Sequence, residues 1–303
     1  MHTVKVLHKY LSQSVPSIHA IRLKAFMAAT QALTQGAKAS LTSLGRYLTG
    51  KTYDKHKIKR IDRLLANKHL RQECQSIYTA LTQQILKGIQ EPIITIDWSP
   101  LCADQSWQLL RAAIPVGGRS LTLYEEVHPQ SKLGNRKVQH QFLDKLAAML
   151  PDCCCPVIVA DGGFKTPFYQ YIENKFQWHW VGRIRGRDFI CWENGEDKQW
   201  FSANLLHQKA TRAAKCLGCI QWVKSNPLSA FIVLVRKTKK QRKSLTLKGR
   251  KRQSKSNNTH VKRENEPWVL VASLSLMKRT PSLMVKIYLI THKLPQPYRK
   301  SVL

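Results

Sequence analysis

Acidic residues are scarce in this chain. Of 303 residues, 18 are Asp or Glu against 50 Lys or Arg, and no carboxylate side chain follows Glu266. The formal charge of +32 exceeds what solubility requires and is self-repulsive, so it calls for an anionic partner, most naturally nucleic acid. Long apolar runs are missing too. No stretch approaches the roughly 18 to 20 residues of a membrane-spanning helix, and no basic amphipathic segment stands apart from the core pattern, so no membrane partner is expected. Met1 to Tyr10 is polar and basic with no apolar run after it, which argues against a signal peptide. The eight cysteines lack a disulfide framework: they are scattered, and Cys153-Cys154-Cys155 is a poor basis for bridges. Cys216-x-x-Cys219 has zinc-like spacing, but neither a second such pair nor a histidine pair follows at finger distance, so structural zinc is not expected.

A hydrophobic share of 43% marks a globular chain, long enough for two or three domains. Its centre is Ile93-Ile94-Thr95-Ile96-Asp97, an apolar and β-branched run that predicts a strand buried on both faces with Asp97 at its end. Pro156-Val157-Ile158-Val159-Ala160 repeats the pattern and delivers Asp161, followed by Gly162-Gly163 for a sharp turn and Lys165-Thr166-Pro167 to open a helix. Asp after an apolar strand is also ordinary turn chemistry. Two such carboxylates in so basic a chain nevertheless frame a site for a hard divalent cation, which takes oxygen ligands.

Residues 1–88 read as a separate helical domain with few glycines. Within it Ser40 to Leu48 is patterned like the first helix and turn of a helix-turn-helix, and Lys55 to Leu65 as a basic amphipathic helix. Lys55, Lys57, Lys59, Arg60 and Arg63 fall mostly opposite Ile58, Ile61, Leu64 and Leu65, so the basic side is free to meet phosphates; a merely solvated face is the alternative. Strands follow at 92–97, 107–116 and 119–127, with Gly117-Gly118 as a hairpin signal. A helix at 135–150, the strand ending at Asp161, a helix at 166–176 and a strand at 178–184 come next. This β-β-β-α-β-α order is that of an RNase H-like fold. Residues 185–265 break the rhythm with short apolar pieces, and Arg236 to Arg263 predicts a flexible basic loop. Trp268 to Ala272 restores a core strand, and Pro281 to Tyr288 starts a helix.

Asp97 in IDWS, Asp161 in ADGGF, GRSLTLYEEV at 118–127, KHKIKRIDRLL at 55–65, KSNPLS at 224–229 and EPWVL at 266–270 together resemble the DDE transposases of bacterial insertion sequences, in particular the IS-four family. The resemblance runs through nearly the whole chain to Tyr288. It implies an α/β chain with an RNase H-like catalytic core (89–184, returning at 266–303), a β-rich insertion (185–265) and an all-α DNA-binding domain in front. It also implies catalytic aspartates Asp97 and Asp161 holding Mg²⁺, with Mn²⁺ as a substitute. Implied partners are double-stranded DNA at inverted-repeat ends and a second copy of the chain, in the bacterial cytoplasm at the nucleoid. Trp268 falls where related enzymes stack a flipped base, with core packing as the alternative, and Tyr288 falls on the tyrosine that opens the family's closing signature. There the agreement lapses: Thr291 stands at the signature's arginine and Pro295 at its glutamate, so no third acid is found and a truncated or disrupted copy is expected. The expected activity is cut-and-paste transposition by Mg²⁺-dependent phosphodiester hydrolysis and strand transfer. The rival is a remnant that binds transposon ends without cutting.

Overall fold

Five helices are built from the first part of the chain: α1 (His2–Ser14), α2 (Ala20–Thr34), α3 (Leu41–Tyr47), α4 (Asp54–Leu65) and α5 (Lys68–Ile85). In the computed structural model, which describes residues 2–117, 119–184, 188–193, 199–236 and 267–277, these helices lie in one unit, Met1–Lys87 with Ala148–Pro151. Local chemistry sets the helix ends. The Ser40 hydroxyl accepts from the Ser43 N–H, and Asn67 Oδ1 accepts from the N–H groups of His69 and Leu70, satisfying donors that a helix start leaves open. Leu11, Val15, Ile18, Leu23, Met27, Ile77 and Ala80 form one apolar core, and Ala32, Leu44, Leu48 and Ile61 a second. Arg22 and Glu73 are ion-paired between α2 and α5.

The second unit is a mixed α/β structure on a ten-stranded sheet, in the order β3-β2-β1-β4-β5-β10-β9-β8-β6-β7. The strands are β1 (Ile93–Pro100), β2 (Trp107–Val116), β3 (Arg119–Pro129), β4 (Val157–Ala160), β5 (His179–Ile184), β6 (Phe189–Trp192), β7 (Phe201–Ser202), β8 (Lys215–Trp222), β9 (Leu228–Val235) and β10 (Trp268–Ala272). β1 runs parallel to β4, and β4 to β5; every other neighbouring pair is antiparallel. α6 (Arg136–Met149) joins β3 to β4, and α7 (Thr166–Phe176) joins β4 to β5. The short helix α8 (Leu274–Met277) follows β10.

Both crossover helices touch the same face of the sheet. Phe142 of α6 stacks on Tyr124 of β3, and Tyr169 of α7 packs on Trp180 of β5. Ile94 and Ile96 are fully buried, whereas Ile93, Thr95 and Asp97 on the other face of β1 are only partly covered. β1 therefore alternates, as a strand with one sealed face does, in place of the continuous burial its composition suggests. It also runs three residues past Asp97, because Asp97 to Pro100 stay paired with β2. On the face away from α6 and α7, Val157, Val159, Val181, Val233, Trp268, Leu270 and Ala272 form a core that draws from four strands.

Residues 189–192 and 230–235, short apolar pieces in the sequence, lie in β6 and β9 of this same sheet. β8 carries no comparable signal, since its Lys215, Gly218 and Gln221 interrupt the apolar pattern and a register shift falls between Cys216 and Gly218. The basic run beyond Arg236, the helix expected to start at Pro281, Tyr288, Thr291 and Pro295 lie outside the described residues.

Candidate active site and nucleic-acid interface

Parallel pairing of β1 and β4 places Ile96 opposite Ala160, so the residue that follows each of them is a carboxylate. Asp97, in β1, and Asp161, the first residue after the adjacent parallel strand β4, thus stand side by side by register. The turn after β4 holds Asp161: its Oδ1 accepts from the Gly163 N–H at 2.8 Å, and its carbonyl from the Phe164 N–H at 3.3 Å. A Cβ at position 163 would lie 2.9 Å from that carboxylate oxygen, so glycine lets the turn close this tightly.

Burial, and then the neighbouring Asp161 charge, push the Asp97 carboxyl up to about 7. The Trp98 backbone N–H and the Arg111 guanidinium pull it the other way and do not prevail. Arg111 is the β2 partner of Asp97, and Glu125 of β3 is in turn the partner of Arg111. Because directly paired residues share a face, Glu125, Arg111 and Asp97 form a row that Asp161 extends. Sequence reading missed Arg111 and Glu125, since nothing local ties either to Asp97; the hairpin signal at Gly117 was the available clue to this pairing.

Two like charges in partial burial are the donor set that a hard divalent cation relieves, so the pair fits Mg²⁺ or Mn²⁺. Among the described residues no group of three or more His, Cys, Asp or Glu side chains is placed to hold a metal. Glu125 lies on the same row but beyond Arg111.

In the helical unit, α3 and α4 pack as a pair around Gly45, where an added Cβ would meet the Ile58 backbone at 2.6 Å. Lys55, Lys59, Arg60 and Arg63 are exposed on α4. Lys57 is not on that face: its side chain is 12% exposed and its ammonium lies 3.8 Å from Asp54. The reason is spacing, since Lys57 precedes buried Ile61 and Leu64 by four and seven residues and so lies on their stripe. Leu65, expected on the packed side, is 54% exposed.

Trp268 is 4% exposed within the apolar core, with the Arg183 guanidinium 5.8 Å from its ring centre. As placed it is a core side chain that offers no open face to a base. Cys216 and Cys219 are free thiols at partly or fully exposed positions on β8. No helix among the described residues is long and apolar enough to cross a membrane.

No family model matches the chain, and no curated protein matches it significantly. Among solved structures, it is similar to the piggyBac transposase in its synaptic complex with hairpin DNA, at a TM-score of 0.41 and 12% sequence identity. That likeness covers 90% of this chain and 57% of the other, so the chain spans less than two-thirds of that protein's length.

Proposed function

We propose that the chain is a DNA transposase of the DDE kind, with an RNase H-like core and a helical DNA-binding unit ahead of it. The observation that carries this reading is that Asp97 of β1 and Asp161, directly after the parallel neighbour β4, follow the paired Ile96 and Ala160, with Asp97 held up to about 7 by burial and in part by its neighbour. The strand order β3-β2-β1-β4-β5, with β2 antiparallel to both its neighbours, supports the RNase H-like assignment. So does the basic face of α4, in a chain of charge +32, support DNA as the partner.

Asp97 and Asp161 would hold a divalent ion. Bound there, such an ion supplies Lewis-acid activation of a water or hydroxyl and stabilises the departing oxygen of a phosphodiester. The chain's own residues prepare that arrangement. The Gly163 N–H fixes the orientation of Asp161, and Arg111 opposes the charge accumulated by the pair. The exposed cations of α4 hold duplex DNA by its phosphates.

A second reading, DNA-end binding without cleavage, is favoured by one observation: no third carboxylate joins the pair among the described residues. Titrating the purified chain with Mn²⁺, by calorimetry and by electron paramagnetic resonance, tests the site. Binding is expected in the wild type and is lost in Asp97→Ala and Asp161→Ala, while all three proteins shift duplex DNA in a gel. Absence of Mn²⁺ binding in the wild type, or its survival in both variants, would sink the metal assignment. Metal-dependent nicking that disappears in Asp97→Ala selects the cleaving enzyme, and duplex binding without nicking selects the remnant.

A further inference from the structure

The turn between β8 and β9 is held more firmly than a hairpin loop requires. Val223 sits at φ 66°, a left-handed conformation that a β-branched residue adopts only when its surroundings enforce it. Those surroundings are on α7 and β6. Asn226 Nδ2 donates to Thr166 Oγ1 at 3.2 Å and to Gln170 Oε1 at 2.9 Å, and Gln170 Nε2 donates back to Asn226 Oδ1 at 3.2 Å. The Val223 N–H donates to the Phe189 carbonyl at 2.9 Å.

The clamped turn borders a cavity of about 340 Å³ lined by Asp188, Phe189, Val223, Lys224 and Ser225. Phe189 is 51% exposed at its edge, although it opens a strand whose next two residues are buried. Lys224 is exposed beside it. Lys165, four residues beyond Asp161, reaches to within 3.9 Å of Asp188, so this hollow adjoins the turn that carries Asp161 of the candidate catalytic pair.

An accessible aromatic face next to a lysine is the combination that binds single-stranded nucleic acid: the ring stacks a base and the cation meets its phosphate. We infer that this cavity is a site for one unpaired nucleotide of a DNA strand, its base against the Phe189 ring and its phosphate at Lys224. The strained turn keeps Lys224 and Ser225 at the rim while Phe189 faces the cavity. The inference rests on the DNA-binding reading above and assigns the unpaired strand a place of its own, apart from the duplex-binding face of α4.

The test compares labelled oligothymidylate with an abasic strand of the same length and charge, by fluorescence anisotropy on the full 303-residue chain at fixed salt. The abasic strand carries the same phosphates, so it cancels the chain's general attraction for polyanions. The wild type is expected to prefer the base-bearing strand about tenfold, within the range for one base stacked on an aromatic ring. Phe189→Ala and Phe189→Leu should abolish that preference and Phe189→Trp should keep it, while Lys224→Ala weakens both strands alike. Duplex affinity should be the same in all of them. An unchanged preference in Phe189→Ala, or a wild type that binds duplex but shows no preference, overturns the inference and leaves the DNA-binding reading standing. Loss of preference in Phe189→Trp with duplex binding intact would also count against it. A wild type that binds neither duplex nor single strands removes both readings at once.

Discussion

Two carboxylates in the second unit show how neighbours decide the state of a group. Burial pushes the Glu126 carboxyl up, but hydrogen bonds from Lys145, Tyr124 and His128 together outweigh it and hold it below its ordinary value of 4.5. Lys145 Nζ lies 2.6 Å from Oε1, and His128 Nε2 lies 2.8 Å from Oε2. Asp97 has burial too, yet its carboxylate neighbour is Asp161, and it is pushed up to about 7. One is a satisfied structural link between β3 and α6; the other is a poised charge of the kind that marks functional sites. A carboxyl held low in the folded chain stabilises it at pH above the unfolded value and loses that contribution as pH falls through the folded value. Glu126→Gln should therefore be less stable than the wild type at pH 7, with the gap closing below about pH 4.5. Urea unfolding across that range measures it, and a gap that stays constant would show that Glu126 contributes packing alone.

At the scale of elements, the pairing of α3 with α4 depends on the lack of a side chain at Gly45. An alanine Cβ there would press on the Ile58 Cα at 2.6 Å and N at 2.8 Å, which is backbone and cannot swing aside. The helices would have to separate, and overpacking of this kind costs about 1–3 kcal/mol. Gly45→Ala should thus lower the unfolding midpoint of the helical unit and weaken duplex binding, because α4 is displaced with its basic face. Circular dichroism during chemical unfolding and a gel-shift titration check the two effects. Full stability in Gly45→Ala would mean that the α3–α4 contact yields without cost.

For the molecule as a whole, the charge of +32 has consequences only through cations that can reach phosphate. Each neutralised phosphate of duplex DNA adds roughly 0.9 to the slope of log affinity against log salt. Lys59→Ala combined with Arg60→Ala should flatten that slope by about 2 by this relation, since both side chains are exposed on α4. Lys57→Ala should leave it nearly unchanged, because Lys57 is packed beside Asp54. Anisotropy titrations at several salt concentrations decide the matter, and equal slopes for all three proteins would make the face of α4 a solvated surface only.

Strands and helices of the second unit were legible in the sequence wherever apolar spacing or turn residues recur locally: β2 and α7 lie where 107–116 and 166–176 are patterned for them. Asp97 and Asp161 were legible as carboxylates that close two apolar runs. Their adjacency was not, because it follows from β1 pairing with β4 across some sixty residues of intervening chain. The same holds for Arg111, which neighbours Asp97 only by cross-strand register. The surroundings of Lys57 and Trp268 were not legible, since a basic or aromatic side chain can cover a core as well as face a ligand, and only the packed neighbours choose. Phe189 and Lys224 are separated by thirty-five positions and meet through the pairing of β6 with β8. Periodicity and turn chemistry are properties of neighbouring residues and are written in the chain itself. Register, face and burial arise when distant segments compete for the same partners, and that was settled by the tertiary structure.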